Sequence, residues 1–169
     1  VLPGGQITIE GKAFDCEIYQ METTTPTSKT VSKIYYCKSQ APYVLRRNST
    51  TTNLETGEEE SNYTMQVVAL DTPWNILSEV KKAAIVKSTR QDSAGTMITW
   101  SIVAPSIPGG IVQHTSKEVD RNGKTVRRST LELLDYGLDG APGQGRLFDR
   151  RRPLFQGIRK PSGRLGVEE

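Results

Sequence analysis

The sequence predicts a mainly β protein. It should hold two similar four-stranded antiparallel units that form a curved sheet or half-barrel, with one short helix and an extended C-terminal tail. Three observations predict this. Thr- and Val-rich runs bounded by Gly, Pro, Asn and Asp recur from Lys12 to Tyr136, as half-buried strands do. A similar succession of features occurs twice, about 66 residues apart, which is the mark of an internal repeat. After Tyr136 neither a helical nor a strand period survives the density of Gly, Pro and Arg.

The first unit spans about residues 8–71, with strands at about 12–22, 30–39, 43–52 and 60–71. The second spans about 83–136, with strands at about 83–90, 95–103, 110–119 and 125–136. In the first, Ile34-Tyr35-Tyr36-Cys37 leads through Pro42 to Tyr43-Val44-Leu45, then to Gly57 and Met65–Asp71. In the second, Ile98-Thr99-Trp100-Ser101 leads through Ile107-Pro108-Gly109-Gly110 to Ile111-Val112, then to Gly123 and Leu131–Asp135. Pro42 and Pro108 suit corners, where no ladder donor is lost. Asn122-Gly123 is a hairpin signal because both positions tolerate positive φ, and Glu55-Thr56-Gly57-Glu58 has that role in the first unit. The helix is expected at about 73–82: Thr72 can cap it, Pro73 fits its first position, and Ile76, Leu77 and Val80 share a face. Pro3-Gly4-Gly5 reads as a flexible leader. Residues 1–136 thus form the duplicated β domain, and 137–169 the tail.

Composition excludes more than it names. The chain has 169 residues, 18.7 kDa, enough for one core or two small repeats sharing one. Twenty-two Lys+Arg against 19 Asp+Glu leave +3, a balance that argues against nucleic acid as the partner. No apolar run reaches the ~20 residues of a membrane helix. The single His, His114, excludes multi-His metal sites and has no G-x-S-x-G motif beside it. Ile107-Pro108-Gly109-Gly110 lacks the Lys-Ser/Thr of a phosphate loop, and Glu58-Glu59-Glu60 reads as a solvated turn. No catalytic pair, metal site or cofactor motif emerges, so a non-enzymatic role is expected.

The two cysteines bear on compartment. In a hairpin centred on Pro26/Thr27, Cys16 falls opposite Cys37, a spacing that suits a disulfide. Two buried free thiols are the alternative. A disulfide would place the protein outside the cytoplasm. The start at Val1, with no Met or targeting segment, suits either a trimmed chain or a mature secreted one. Asn48-Ser49-Thr50 and Asn62-Tyr63-Thr64 fit the glycosylation sequon, a triplet common by chance in a Thr-rich chain.

The tail carries the sharpest functional signal. Its Arg146, Arg150, Arg151, Arg152, Arg159, Lys160 and Arg164 oppose Asp139, Asp149, Glu168 and Glu169, which accounts for the whole excess charge. Leu147-Phe148 and Leu154-Phe155 are paired apolar anchors among these arginines. Such a segment can lie extended along another protein, aromatics in pockets and arginines on carboxylates. The expected partner-binding residues are Leu147, Phe148, Arg150, Arg151, Arg152, Leu154, Phe155 and Arg159. Solvated termini are the commoner fate of such sequences.

With strands and corners placed, the second unit resembles uncharacterised secreted bacterial β-domains. The residues that carry the resemblance are Met97–Ser101, Ile107–Val112, Gly123-Lys124 and Leu131–Tyr136. More distantly, the chain is similar to the half-barrel of periplasmic lipoprotein carriers. That resemblance implies a curved antiparallel sheet covered on its concave side. It also implies a second role, carrying a lipid or other apolar ligand in a groove between Trp100, Ile98 and helix residues such as Ile76. The first expectation is an accessory or structural subunit of an extracytoplasmic protein assembly, docking to other subunits through its tail.

Overall fold

A computed structural model describes residues 2–136 of the chain. They form one antiparallel sheet of nine strands, ordered β1 to β9 as in the sequence. The strands are β1 (Leu2–Ile9), β2 (Lys12–Thr24), β3 (Ser28–Tyr36), β4 (Val44–Asn53) and β5 (Glu59–Ile76), then β6 (Glu79–Asp92), β7 (Gly95–Val103), β8 (Ile111–Asp120) and β9 (Thr125–Glu132). The sheet is open and curved. Each strand pairs with its neighbours in sequence, so every connection is local.

The strands repeat, and the repeat is 67 residues long over most of its course. Cys37 N–H donates to Tyr43 O at 2.7 Å, and Tyr43 N–H to Gln40 O at 2.9 Å. Sixty-seven residues on, Ala104 N–H donates to Gly110 O at 2.8 Å, and Gly110 N–H to Ile107 O at 2.9 Å. Tyr43 and Gly110 both hold positive φ, 69° and 75°. At the opposite end of the sheet, Asn53 Oδ1 accepts from the N–H groups of Glu55 and Thr56. Asp120 Oδ1, 67 residues later, accepts from Asn122 and Lys124. The second of these turns is one residue shorter: its glycine, Gly123, lies 66 residues after Gly57, with φ 79° against 72°. The bulges repeat too. The step from Leu2↔Ile18 to Gly5↔Cys16 between β1 and β2 recurs as the step from Ala69↔Ile85 to Thr72↔Ala83 between β5 and β6.

This register corrects two expectations. No helix spans 73–82. Residues 72–76 are the end of β5, paired with 79–83 of β6 around a turn at Leu77-Ser78. Trp74 and Ile76 face inward and Pro73 and Asn75 outward, a strand period, while Val80 is 74% exposed. Pro3-Gly4-Gly5 is no leader but part of β1, an edge strand where Pro costs no ladder bond. β5 is also shared between the repeats: its first half closes one unit, and its second half opens the next. It occupies the place that β1 occupies in the first.

The core lies at the corner end of the sheet, in two clusters that repeat with the strands. The tip of the β1–β2 hairpin brings Ile7, Ile9, Phe14 and Cys16 against Cys37, Leu45 and Val67. The tip of the β5–β6 hairpin brings Trp74, Ile76 and Ala83 against Ala104, Ile107 and Val112, with Leu133 and Tyr136 packed on them. Leu45 and Val112 are equivalent, at 0% and 5% exposure. Burying a side chain of that size contributes about 1.5–3 kcal/mol. The first tip is tied down by Glu10 Oε2, which accepts the Leu70 N–H at 2.9 Å.

The expected disulfide is absent: Cys16 and Cys37 are free thiols, both buried in the first cluster. β3 ends at Tyr36, so Cys37 lies one residue past the ladder and begins the corner. Its sulfur is paired with Ser39 Oγ at 3.3 Å, and the Cys16 thiol donates to Phe14 O at 3.6 Å.

Candidate functional site

Away from the corners the sheet is a single layer, and cross-strand register sorts its residues onto two faces. One continuous row on the first face runs Ile18, Tyr35, Arg46, Gln66, Lys87, Trp100, Thr115 and Thr130. Cations lie over its rings. Lys33 Nζ and the Arg46 guanidinium are 5.8 and 6.0 Å from the Tyr35 centroid, and Lys87 Nζ is 5.5 Å from that of Trp100. Trp100 is 46% exposed, so it is a surface residue, not part of the core. Long cationic side chains lie along aromatic surface here and keep their charges in water.

The opposite face carries small hydroxyls. Ser32 and Ser49 are buried and share a hydrogen bond of 2.8 Å. Arg47 closes over them, donating from Nη2 to Ser32 Oγ at 3.2 Å and from Nε to Ser49 Oγ at 3.1 Å. Its guanidinium also lies 5.9 Å from the Tyr63 ring centroid. In the second repeat Ser116, 67 residues after Ser49, pairs with Ser129 at 2.6 Å. These serines stay small so that neighbouring long side chains can cover them, and each buried hydroxyl has its partner.

The thiol of Cys16 titrates high. Burial raises it from its ordinary value of 9.0, and the neighbouring Cys37 and Asp15 add to the shift. A thiol so placed is a packing group, not a nucleophile. On the surface, Glu17 is held below the usual carboxylate range by its bond with Lys38, and Glu22 by its bond with Lys29. Lys38 is raised by the same pairing. His114 stands opposite Ser101 in the β7–β8 ladder, and among the described residues its side chain has no hydrogen bond. Also among the described residues, no group of three or more His, Cys, Asp or Glu converges as a metal site would, and no helix is long and apolar enough to cross a membrane.

The expected carrier groove required a helix over the sheet, and none is present in the described residues. Of its residues, Ile76 is buried in the second cluster, whereas Ile98 and Trp100 lie two apart on the first face. The eight tail residues expected to bind a partner, Leu147, Phe148, Arg150, Arg151, Arg152, Leu154, Phe155 and Arg159, lie outside the described residues. Sequence reasoning missed the cation–aromatic row, although the alternation of Lys87 and Trp100 with smaller neighbours was there to find. No protein-family model matches this chain, and neither does any curated protein or solved structure.

Proposed function

We propose that the chain is a non-enzymatic structural subunit of an extracytoplasmic protein assembly. The nine-stranded sheet is its rigid body, and the segment from Gly137 is its docking arm. The observation that carries this reading is the open sheet itself. It presents two broad side-chain faces and a polar, single-layered half, which suits contact with other macromolecules better than enclosure of a substrate. The arm adds Leu-Phe anchors among arginines. The extracytoplasmic setting rests on the resemblance to secreted β-domains, since the free thiols remove its other support.

Deleting residues 137–169 tests the division of labour. The truncated chain should keep its β-sheet circular dichroism and cooperative unfolding, and should no longer co-purify with the complex that the full chain forms in its source. Loss of folding on truncation would contradict the proposal. Native mass spectrometry of the full chain from its source, after cell fractionation, gives the partners and the compartment together. A monomer with a reproducible apolar adduct would instead favour the carrier reading.

A further inference from the structure

The internal repeat contains a joint between its two units, and the same joint can form between two copies of the chain. Inside the molecule, the last strand of the first unit, at the start of β5, pairs through residues 61–67 with residues 86–92 of β6 in the second unit. The strand equivalent to that part of β5 is β9, and the strand equivalent to β6 is β2. Among the described residues, β9 pairs only with β8, and residues 19–24 of β2 pair only with β3. The sheet therefore ends on one side in the left half of its own internal joint and on the other side in the right half.

From this geometry we infer that the chain associates head to tail with itself, β9 of one copy pairing antiparallel with residues 19–24 of β2 in the next. The register is set by the internal joint, in which Asn62 faces Gln91, Met65 faces Ser88 and Val67 faces Val86. Moved by the repeat, these pairs become Arg128 with Thr24, Leu131 with Met21, and Leu133 with Tyr19. The side chains fit. Tyr19, Met21 and Leu131 are large apolar residues exposed at 37%, 45% and 48%, and the joint sets Met21 against Leu131. On the other face, Glu22 of one copy falls diagonally across from Arg128 of the next, an attractive pair at that spacing. Residues 126–132 and 19–24 are exposed throughout, whereas most of their equivalents inside the molecule are half-buried. An exposed strand edge is a template for pairing, and β9 and β2 are unlike edges. Such a contact is heterologous and repeats without closing in pairs, so copies add in a row. The inference rests on the sheet edges alone and holds whether or not the tail docks.

Two variants test it, because each blocks one edge and leaves the other free. Met21→Lys/Glu22→Lys sets one cation against the apolar Leu131 and another diagonally across from Arg128, and Leu131→Lys removes the apolar pair from the β9 side. The substituted positions are exposed, and far-UV circular dichroism checks that the fold is kept. In sedimentation velocity, the full wild-type chain should gain mass steadily with concentration, beyond a dimer. Each variant alone should associate about tenfold more weakly or not at all, that factor being about 1.4 kcal/mol. An equimolar mixture should form a one-to-one dimer and nothing larger, since each member still offers the edge that the other can use. A wild-type chain that stays monomeric, a variant that associates alone as tightly as the wild type, or a mixture that stays monomeric would each overturn the inference.

Discussion

At the scale of single residues the repeat acts as an internal control. Cys37 and Ala104 begin equivalent corners, at 1% and 0% exposure, and Cys16 is equivalent to Ala83. One unit thus already runs with alanine where the other has cysteine. Cys16→Ala/Cys37→Ala should therefore fold and lose no more than about 1–2 kcal/mol in urea unfolding, and reductant should leave wild-type stability unchanged. Leu45 is different. Its equivalent is Val112, so no example of a small residue at this place exists in the molecule, and its neighbours cannot follow it inward. Leu45→Ala should cost about 2–5 kcal/mol by the same measurement. A cysteine variant as unstable as the leucine variant would mean that the thiols do more than fill space.

At the scale of elements the turns show where strain is held and what the sequence concealed. The two hairpin tips turn at Glu10-Gly11 and at Leu77-Ser78, with φ 49° and 79° against 56° and 157°. Leucine is a poor residue for a left-handed position, and Leu77 is 43% exposed, so it gains little by packing there. Leu77→Asn should stabilise the protein by about 0.5–1 kcal/mol in thermal or urea unfolding, whereas Leu77→Ile should destabilise it. No gain from asparagine would show that the leucine side chain holds the tip in place. The same tip explains the expected helix that is not there. Thr72-Pro73 carries the signals of a helix start, and Ile76, Leu77 and Val80 can share a helical face. The alternation of Thr72, Trp74 and Ile76 was equally present. It matches Gly5, Ile7 and Ile9 only when the 67-residue offset is carried upstream of Lys12. The corners and polar turns were legible because Pro, Gly, Asn and Asp fix their backbone locally. The start of β1 was hidden because Pro3-Gly4-Gly5 is a strand only by virtue of β2 beside it. The cation–aromatic row was harder still, since it exists only once seven registers have been set.

At the scale of the whole molecule, two cores share one sheet, and the question is whether they share one fate. Each cluster draws its residues from its own unit almost entirely; Ala84 and Val86, attached to the first cluster, come across from β6. The units are also joined along the first half of the β5–β6 ladder, from Ser61↔Asp92 to Val67↔Val86. Losing the first cluster would strip β5 of its partner β4 and leave the second unit with an open edge and a frayed opening strand. Repeat proteins unfold as one body when such interface terms outweigh the instability of single units. Here the shared strand makes the interface term large, so a single transition is expected. The chain carries its own reporters for this. Five of the six tyrosines, Tyr19, Tyr35, Tyr36, Tyr43 and Tyr63, lie in the first unit, whereas both tryptophans, Trp74 and Trp100, lie in the second with Tyr136. Tyrosine absorbance and tryptophan emission should give coincident urea transitions, and Leu45→Ala, a change in the first core, should move the tryptophan signal of the second by as much as the tyrosine signal. A tyrosine transition that moves while the tryptophan transition stays would show two folding units that only touch. The β5–β6 ladder would then be a weak joint, and a head-to-tail contact built on the same register would be weak as well.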